Sequence, residues 1–485
     1  MTVAGCLIAS GATLRIEAVD ESGKPAWVRL EVHDSAGKLH QASGSIPSGR
    51  PGRPDTGSPY LRSFVVNGQS ELDVPPGRYR IVAEHGLEYE RLEQTVELGP
   101  QGQRVRLGLK PWIRMRDRGW WSGDMHVHRP MENVPALLQA EDLNLGVVFT
   151  MWNRQNLWTG KTLPHDPVQR VTDRHWMTVM NAEDERGGGA WMLHHLREPL
   201  KLENVVPEGK PVTESWFPPG IEFVRKARAQ RHRELFPWFD SEKPIWWEVP
   251  VMMALEPPDS IGLAHNHYNQ YGMYGNEAWG RPRDTQAFPD IQGFSDYSLS
   301  LIYRYWNLGM LVPPSAGSAS GVLPNPVGYN RMYARIEGAF SIEKWYQAVR
   351  DGRVFVTNGP VLFFDTKMGR VEALAREVIE RVEIVANGRV VKTLPGGSRR
   401  VRGDVNLNLP AHNWVAARCF LRTAGTVRLA HTAPVRVSGR WDARLDARYF
   451  IEWIDKLIEQ SRGSQREKLL PLYQEARKFY EARSH

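Results

Sequence analysis

Apolar and polar positions alternate along the first hundred or so residues. In Ala12-Thr13-Leu14-Arg15-Ile16-Glu17-Ala18-Val19 every second side chain is apolar, and Asp20-Glu21-Ser22-Gly23 follows as a turn. Val28-Arg29-Leu30-Glu31-Val32 repeats the pattern ahead of Asp34-Ser35-Ala36-Gly37, and Gly77–Ala83 and Glu93–Leu98 continue it. A period of two bounded by Gly, Pro and Asp predicts strands with one buried face, here a small β-sandwich over residues 1–113. Ser43–Pro59 is rich in Gly, Pro and Ser and reads as a long loop. No cluster of chemistry falls in this region, so packing against the rest of the chain is preferred over carbohydrate contact as its role.

From 114 to 365 the period changes. Short apolar runs at Gly146–Thr150, His175–Met180 and Ile261–His265 alternate with helical patterns at Ile221–Arg233 and Ser341–Asp351. Such alternation predicts α/β organisation, a barrel with its chemistry at the carboxyl ends of the strands. Between 366 and 440 strands return. Glu383–Ala386 and Arg389–Lys392 flank Asn387-Gly388, a two-residue hairpin turn, and Trp414–Arg418 and Ala433–Val437 extend the sheet. Residues 441–485 form a helical tail: Phe450, Trp453, Ile454, Leu457 and Ile458 recur at helical spacing, Gly463 interrupts, and Leu469, Leu472, Tyr473, Ala476 and Tyr480 resume. That stripe is most simply a packing face.

Composition narrows the function classes. A chain of 485 residues, 41% hydrophobic and 24% charged, has room for several domains with sizeable cores. The formal net charge of +7 comes from dispersed Lys and Arg with short clusters such as Arg225-Lys226-Ala227-Arg228, which is no nucleic-acid footprint. No apolar run is long enough for a membrane span. Cys6 and Cys419 cannot build a disulfide framework and lie in no metal-ligand spacing, so any metal falls to histidine and carboxylate. Val3-Ala4-Gly5-Cys6 has the form of a lipoprotein cleavage box without the basic and apolar segments that precede one. A chance match, with a cytoplasmic protein, is preferred; an exported protein whose signal was removed is the alternative.

The candidate chemistry is histidine. Six of the 15 histidines form three close pairs, His126/His128, His194/His195 and His265/His267, all in the α/β region. His126 and His128 are two apart and face one side of an extended strand, where two neutral imidazoles can share a metal. Asp124 lies on that side too and can orient a ligand. Each pair alone also reads as two satisfied structural histidines; three pairs in one predicted barrel, with Glu183 shortly ahead of the second, point to a metal site. Adjacent His194 and His195 cannot both face inward on a strand, and His194, at the end of Trp191-Met192-Leu193-His194, is preferred.

Gly123-Asp124-Met125-His126-Val127-His128 resembles the opening motif of PHP-superfamily metallohydrolases. Asp351-Gly352-Arg353-Val354-Phe355-Val356-Thr357-Asn358-Gly359-Pro360 is similar to the end of the catalytic domain in their carbaryl-hydrolase-like (CehA/McbA) branch, and Ala430–Val435 resembles its C-terminal strand region. The resemblance runs from about 120 to the C terminus. It implies a distorted (β/α)7 barrel with up to three metals, flanked here by the N-terminal sandwich and the C-terminal β segment. It matches His126 and His128 to the first motif, Glu183 to a bridging carboxylate, and His194 or His195 and then His265 to the middle histidines. Two motifs depart. Thr150-Met151-Trp152-Asn153 stands where the family has Asp-His, and Gly317-Ser318-Ala319-Ser320 stands where it has a late Asp and His.

The expectation is therefore a reduced, His-rich site. His126, His128, Glu183, His194 and His265 are the candidate metal ligands for one or two divalent ions, zinc first, with Mn, Fe, Ni or Cu as alternatives. His267 and Asp124 are the candidate catalytic groups, and His267 also competes as a further ligand. Trp152, Tyr329 and Arg331 are candidate substrate contacts, each with a structural reading beside it. The expected activity is hydrolysis of an ester, carbamate or phosphoester by a metal-activated water, on a small-molecule or carbohydrate-derived substrate. The alternatives are a non-catalytic metal- and carbohydrate-binding protein on a degenerate barrel, and a redox enzyme at bound Cu or Fe.

Overall fold

The computed structural model describes residues 11–48, 63–200, 215–231, 237–405, 411–461 and 463–485. Cys6 and His232, and residues 49–59 of the expected loop, lie outside them. The alternation of the first region becomes two facing sheets. One holds Gln69–Val74, Ala12–Val19 and Gln103–Gly108 in that order; the other holds Ile46–Pro47, Phe64–Asn67, Trp27–Asp34, Gly77–Glu84 and Leu92–Leu98. Leu14, Ile16, Val28, Leu30, Val32, Tyr79, Ile81 and Val105, the inward members of the period-two runs, form their shared core.

The centre of the molecule is one large mixed sheet. Trp120–Val127, Leu145–Trp152 and Trp176–Arg186 lie side by side and parallel. Trp238–Ser241, Ser260–Ala264 and Pro314–Ala316 make a second parallel group. Gly189–His194 joins the two groups, antiparallel to both neighbours. This departs from uninterrupted strand–helix alternation. The cause is Gly187-Gly188-Gly189, which turns the chain back as a hairpin: Gly189 has φ +155°, and a Cβ on Gly188 would lie 2.0 Å from Glu248 Oε2. On the far side of Trp120–Val127 the sheet continues through Arg331–Arg335 and Val354–Thr357, both antiparallel.

The sheet curls. The segment after Pro314–Ala316 returns to Trp120–Val127 so closely that a Cβ on Gly317 would lie 2.5 Å from the Cβ of His126. A single bridge, Val127 to Ser320, marks this approach, and among the described residues no continuous ladder closes the sheet. Helices Val134–Ala140, Gly220–Arg228, Val249–Leu255, Asp290–Asn307 and Ile342–Arg350 accompany the strands. Ser341 caps the last of them by accepting the Lys344 backbone N–H.

In the C-terminal region Ile379–Ala386 and Arg389–Pro395 form the expected hairpin, with Asn387 at φ 51° and Gly388 at φ 79°, the positive pair that a two-residue turn of this hand requires. A three-stranded sheet, Val361–Asp365, Arg370–Leu374 and Arg400–Asp404, shares a core with it that includes Val371, Ile379, Val382 and Cys419. The chain ends in helices Arg444–Gln460 and Gly463–Glu481, whose Phe450, Trp453, Ile454, Leu457, Leu469, Tyr473, Ala476 and Tyr480 are buried in the same core as the large sheet. Among the described residues no helix is long and apolar enough to cross a membrane.

The tail is tied down by a buried polar contact. Tyr473 donates its hydroxyl to Glu248 Oε1 at 2.7 Å, and the Tyr480 hydroxyl donates to the carbonyl of Pro250 at 2.8 Å. Burial lifts the Glu248 carboxyl to about 7, against the Tyr473 hydroxyl and Arg186, which favour its charged form. A carboxyl whose pKa is raised on folding adds stability below its unfolded value, and that stability is lost as pH rises through the folded one. For Glu248 the window runs from about pH 4.3 to pH 7, and the contribution is on the order of 3 kcal/mol. Glu248→Gln is expected to flatten the fall in thermal melting temperature between pH 5 and pH 8. An unchanged slope in the variant would remove Glu248 as its source.

Candidate metal centre

The site begins at the carboxyl end of Trp120–Val127. His126 is the second-last residue of the strand and His128 follows it, so their rings leave the backbone on one side. Asp124 shares the strand, but its oxygens serve the backbone. They accept the N–H of His126 at 3.0 Å, of Ser318 at 3.0 Å and of Gly328 at 2.7 Å, together with the Ser318 hydroxyl. Asp124 thus pins the 317–328 loop against the strand that carries the histidines. Ser318, from the altered late motif, is its main partner.

Glu183 comes from Trp176–Arg186, two strands away, and completes a triangle. His126 Nε2 and His128 Nε2 are 2.8 Å apart, His128 Nε2 is 2.8 Å from Glu183 Oε2, and His126 Nε2 is 3.5 Å from the same oxygen. Among the described residues this is the group whose ligand atoms all lie within 4.8 Å of one another. His126 is 4% exposed and Glu183 2%, and Glu183 Oε2 has no aligned hydrogen-bond donor. Two imidazole nitrogens and one carboxylate oxygen, dry and convergent, are a donor set for a borderline divalent ion such as Zn²⁺, with bonds of about 2.0–2.2 Å. The residues present fit the metal that the pattern implied.

The three groups also act on one another's charge. Burial works against the His126 imidazolium, but Glu183, Glu242 and Asp124 outweigh it and raise the His126 pKa. At His128 burial prevails over Glu183, with His126 adding to it, so that pKa is lowered. Burial also opposes the Glu183 carboxylate, yet the two histidines hold it below the usual carboxylate range. One imidazole inclined to charge, one inclined to stay neutral and one firmly ionised carboxylate share this buried cluster.

The strand between them supplies no ligand. Phe149, on Leu145–Trp152, places its ring 5.4 Å from that of His126, 5.5 Å from His128 and 5.6 Å from His194. Trp152 stands at the edge, its ring 5.0 Å from His128 and its indole N–H donating to Glu185 Oε2 at 2.9 Å. His194 ends its strand beyond Phe149. Its Nδ1 is 3.2 Å from the Tyr346 hydroxyl, and its buried Nε2 has no hydrogen-bond partner. His195 turns off the strand at φ 57° and meets the Tyr346 ring edge-on at 4.4 Å.

His265 follows Ser260–Ala264. Its Nδ1 accepts the His267 backbone N–H at 3.3 Å, and its Nε2 is buried without a partner. His267 stacks on Phe294 at 5.7 Å, leaving Nδ1 unpartnered. Burial, then the nearby charges of His267 and Lys243 for His265 and of Lys243 for His267, push both imidazoles well below their usual pKa. Tyr329 and Arg331 line a different cavity of about 290 Å³, with Arg29, Glu84, Glu141 and Arg376. Arg331 donates there to the carbonyls of Gly328 at 2.6 Å and Glu141 at 3.2 Å.

Two further residues belong to the centre and were not singled out in the sequence, Glu242 and Lys243. They follow Trp238–Ser241 at its carboxyl end. Glu242 Oε1 lies 3.6 Å from His126 Nδ1, and Lys243 Nζ donates to Glu242 Oε2 at 2.7 Å. The available signal was positional: a charged pair two residues beyond the short apolar run Trp238-Phe239, where strand ends carry chemistry. Nearby Glu185 is lifted to about 8, by burial first and then by Glu183 and Glu242.

Elemental mass spectrometry on protein dialysed against zinc checks the triangle. His128→Ala and Glu183→Gln are each expected to abolish stoichiometric zinc, while His195→Ala retains it. Full zinc in Glu183→Gln would show that the ion is held elsewhere. No protein-family model and no curated protein matches the chain.

Proposed function

We propose that the protein is a metal-dependent hydrolase of the PHP type, with a reaction centre built on His126, His128 and Glu183. The observation that carries this reading is the convergence of two imidazole nitrogens and a carboxylate oxygen, 2.8–3.5 Å apart and out of water. The order of the surrounding groups supports it. His126, Glu242 and His265 stand at or just beyond the carboxyl ends of parallel strands, where α/β folds gather their chemistry. A divalent ion held there supplies Lewis-acid polarisation and a water acidified enough to attack an ester, carbamate or phosphoester at neutral pH.

The chain's own groups divide the remaining work. His126, His128 and Glu183 bind, and Asp124 fixes the loop and strand that present the two histidines. Phe149 and Trp152 exclude water along the wall nearest the histidines, which strengthens every charge interaction within. His267, with Nδ1 unpartnered, is the proposed proton acceptor. A site with one triangle of ligands favours acyl over phosphoryl transfer, because phosphoryl transfer gains most from several cations around the transferred oxygens.

A panel of chromogenic esters, carbamates and phosphoesters tests the reading. Turnover on an acyl substrate is expected, abolished by chelation and restored by zinc. His267→Gln should lower kcat by about 100-fold or more while leaving zinc content intact. One equivalent of bound metal with no turnover on any class would turn the reading to a metal-binding protein without catalysis.

A further inference from the structure

A cavity of about 290 Å³ lies where the three regions of the chain meet, and none of the metal-centre ligands lines it. Arg29 and Glu84 reach it from the sandwich, Gln270 and Tyr329 from loops beyond the central strands, and Arg376 and Glu377 from the C-terminal region. Its size is close to the lower end of small-molecule sites. Five arginines and three glutamates line it, an excess of two positive charges. Arginines leave water only where something answers their charge.

The charges form a ladder. Arg29 donates from Nε to Glu141 Oε1 at 2.6 Å and from Nη2 to Glu84 Oε2 at 2.8 Å. Arg376 Nη2 approaches the other Glu84 oxygen at 3.5 Å, and its Nε lies 3.9 Å from Glu377 Oε1. Arg428 donates from Nη1 to that same Glu377 oxygen at 2.6 Å. Arg29 and Arg376 thus meet at Glu84, and Arg376 and Arg428 meet at Glu377. Burial opposes the Glu84 carboxylate, but Arg29, Arg376 and Arg91 outweigh it and bring its pKa to about 2.

At each of these guanidiniums one Nη remains without a hydrogen bond among the described residues. It is Nη1 of Arg29, Nη2 of Arg376 and Nη2 of Arg428, because Arg376 Nη1 donates to the Tyr89 carbonyl and Arg428 Nε to that of Asn358, both at 3.1 Å. Arg331, 1% exposed, adds a charge, and its own hydrogen bonds go to the neutral carbonyls of Gly328 and Glu141. Guanidinium groups hold phosphate and carboxylate oxygens through charge-assisted, often bidentate hydrogen bonds. A neutral occupant would leave the excess charge of the lining unanswered. We propose that this cavity binds the phosphate or carboxylate group of a small molecule on the uncommitted ends of Arg29, Arg376 and Arg428. The inference is independent of the metal reading of the triangle.

Isothermal titration calorimetry on the full chain tests this. The protein is first stripped of metal by chelation, so that the His126–His128–Glu183 centre offers an anion no cation. It is then titrated with inorganic phosphate and with succinate at physiological ionic strength, where dispersed surface charge is screened. One saturable site is expected, and the tighter of the two probes names the anionic group that the cavity takes. Glu377→Gln, which removes a negative charge from the lining, is expected to tighten binding several-fold. Arg376→Gln is expected to weaken it by about tenfold or more. Circular dichroism identifies which variants are folded, and Glu377, with a side chain 37% exposed, carries the test if Arg376→Gln does not fold. Absence of saturable binding for both probes overturns the assignment, as does an affinity in folded Glu377→Gln no higher than in the wild type. Wild-type affinity in folded Arg376→Gln overturns it as well.

Discussion

The exclusion of water from a small cluster of charge is the constraint on which the rest of the structure depends. Glu183, Glu242, His126 and Lys243 lie within or against one another's reach, each less than a tenth exposed. Isolated, any one of these groups would lose several kcal/mol on leaving water. They are tolerable together because opposite charges and lone pairs meet at 2.7–3.6 Å. The surrounding architecture keeps them there. Three parallel strands set His126 and Glu183 two strands apart, the hairpin at Gly187-Gly188-Gly189 brings His194 back beside them, and the curl of the sheet presses the Gly317 segment onto His126.

The middle strand shapes the wall of the centre. Leu145–Trp152 runs between the strands of His126 and Glu183 and could have offered ligands to both. It offers Phe149 and Trp152. An aromatic ring within 5.6 Å of three imidazoles removes space and solvent from the place a further ligand would occupy. The same aromatic rings raise the effective strength of the charges beside them, since these interact through a less polar medium. A strand whose side chains here are aromatic and a buried ammonium hydrogen-bonded to Glu242 thus meet at one centre.

What the sequence made legible follows from periodicity. The strands at Ala12, Trp27 and Gly77 declared themselves through the alternation of apolar and polar residues, even though Trp27–Asp34 also buries Arg29 and Glu31 on its polar face, Arg29 in ion pairs with Glu84 and Glu141. His126 and His128 were readable for the same reason: a spacing of two on a strand is a statement about direction. Asn387-Gly388 was readable because few residue pairs accept two positive φ values in succession. By contrast, Gly189–His194 is buried on both faces and carries no alternation to reveal its direction, so the reversal at the three glycines went unread. His194 and His195 could be separated only in part, since the left-handed turn at His195 is a backbone property with no sequence mark in a non-glycine residue.

Glu242 and Lys243 show where such reading runs out. An adjacent Glu-Lys pair is, in most chains, a solvated surface feature, and only its place shortly after the apolar run Trp238-Phe239 marks this one. Its burial is imposed by residues far away in sequence: Trp246, Gly262 and the strands that place His126 opposite. Asp124 illustrates the reverse. Its position beside the histidines suggested chemistry, but its oxygens are engaged by the backbone N–H of His126 on its own strand and by two backbone N–H groups and a serine hydroxyl from the segments around 318 and 328. Position along a strand tells which side a group can face. Only the long-range contacts tell whether its polar atoms remain available, and in this centre availability, more than identity, separates a ligand from a strut.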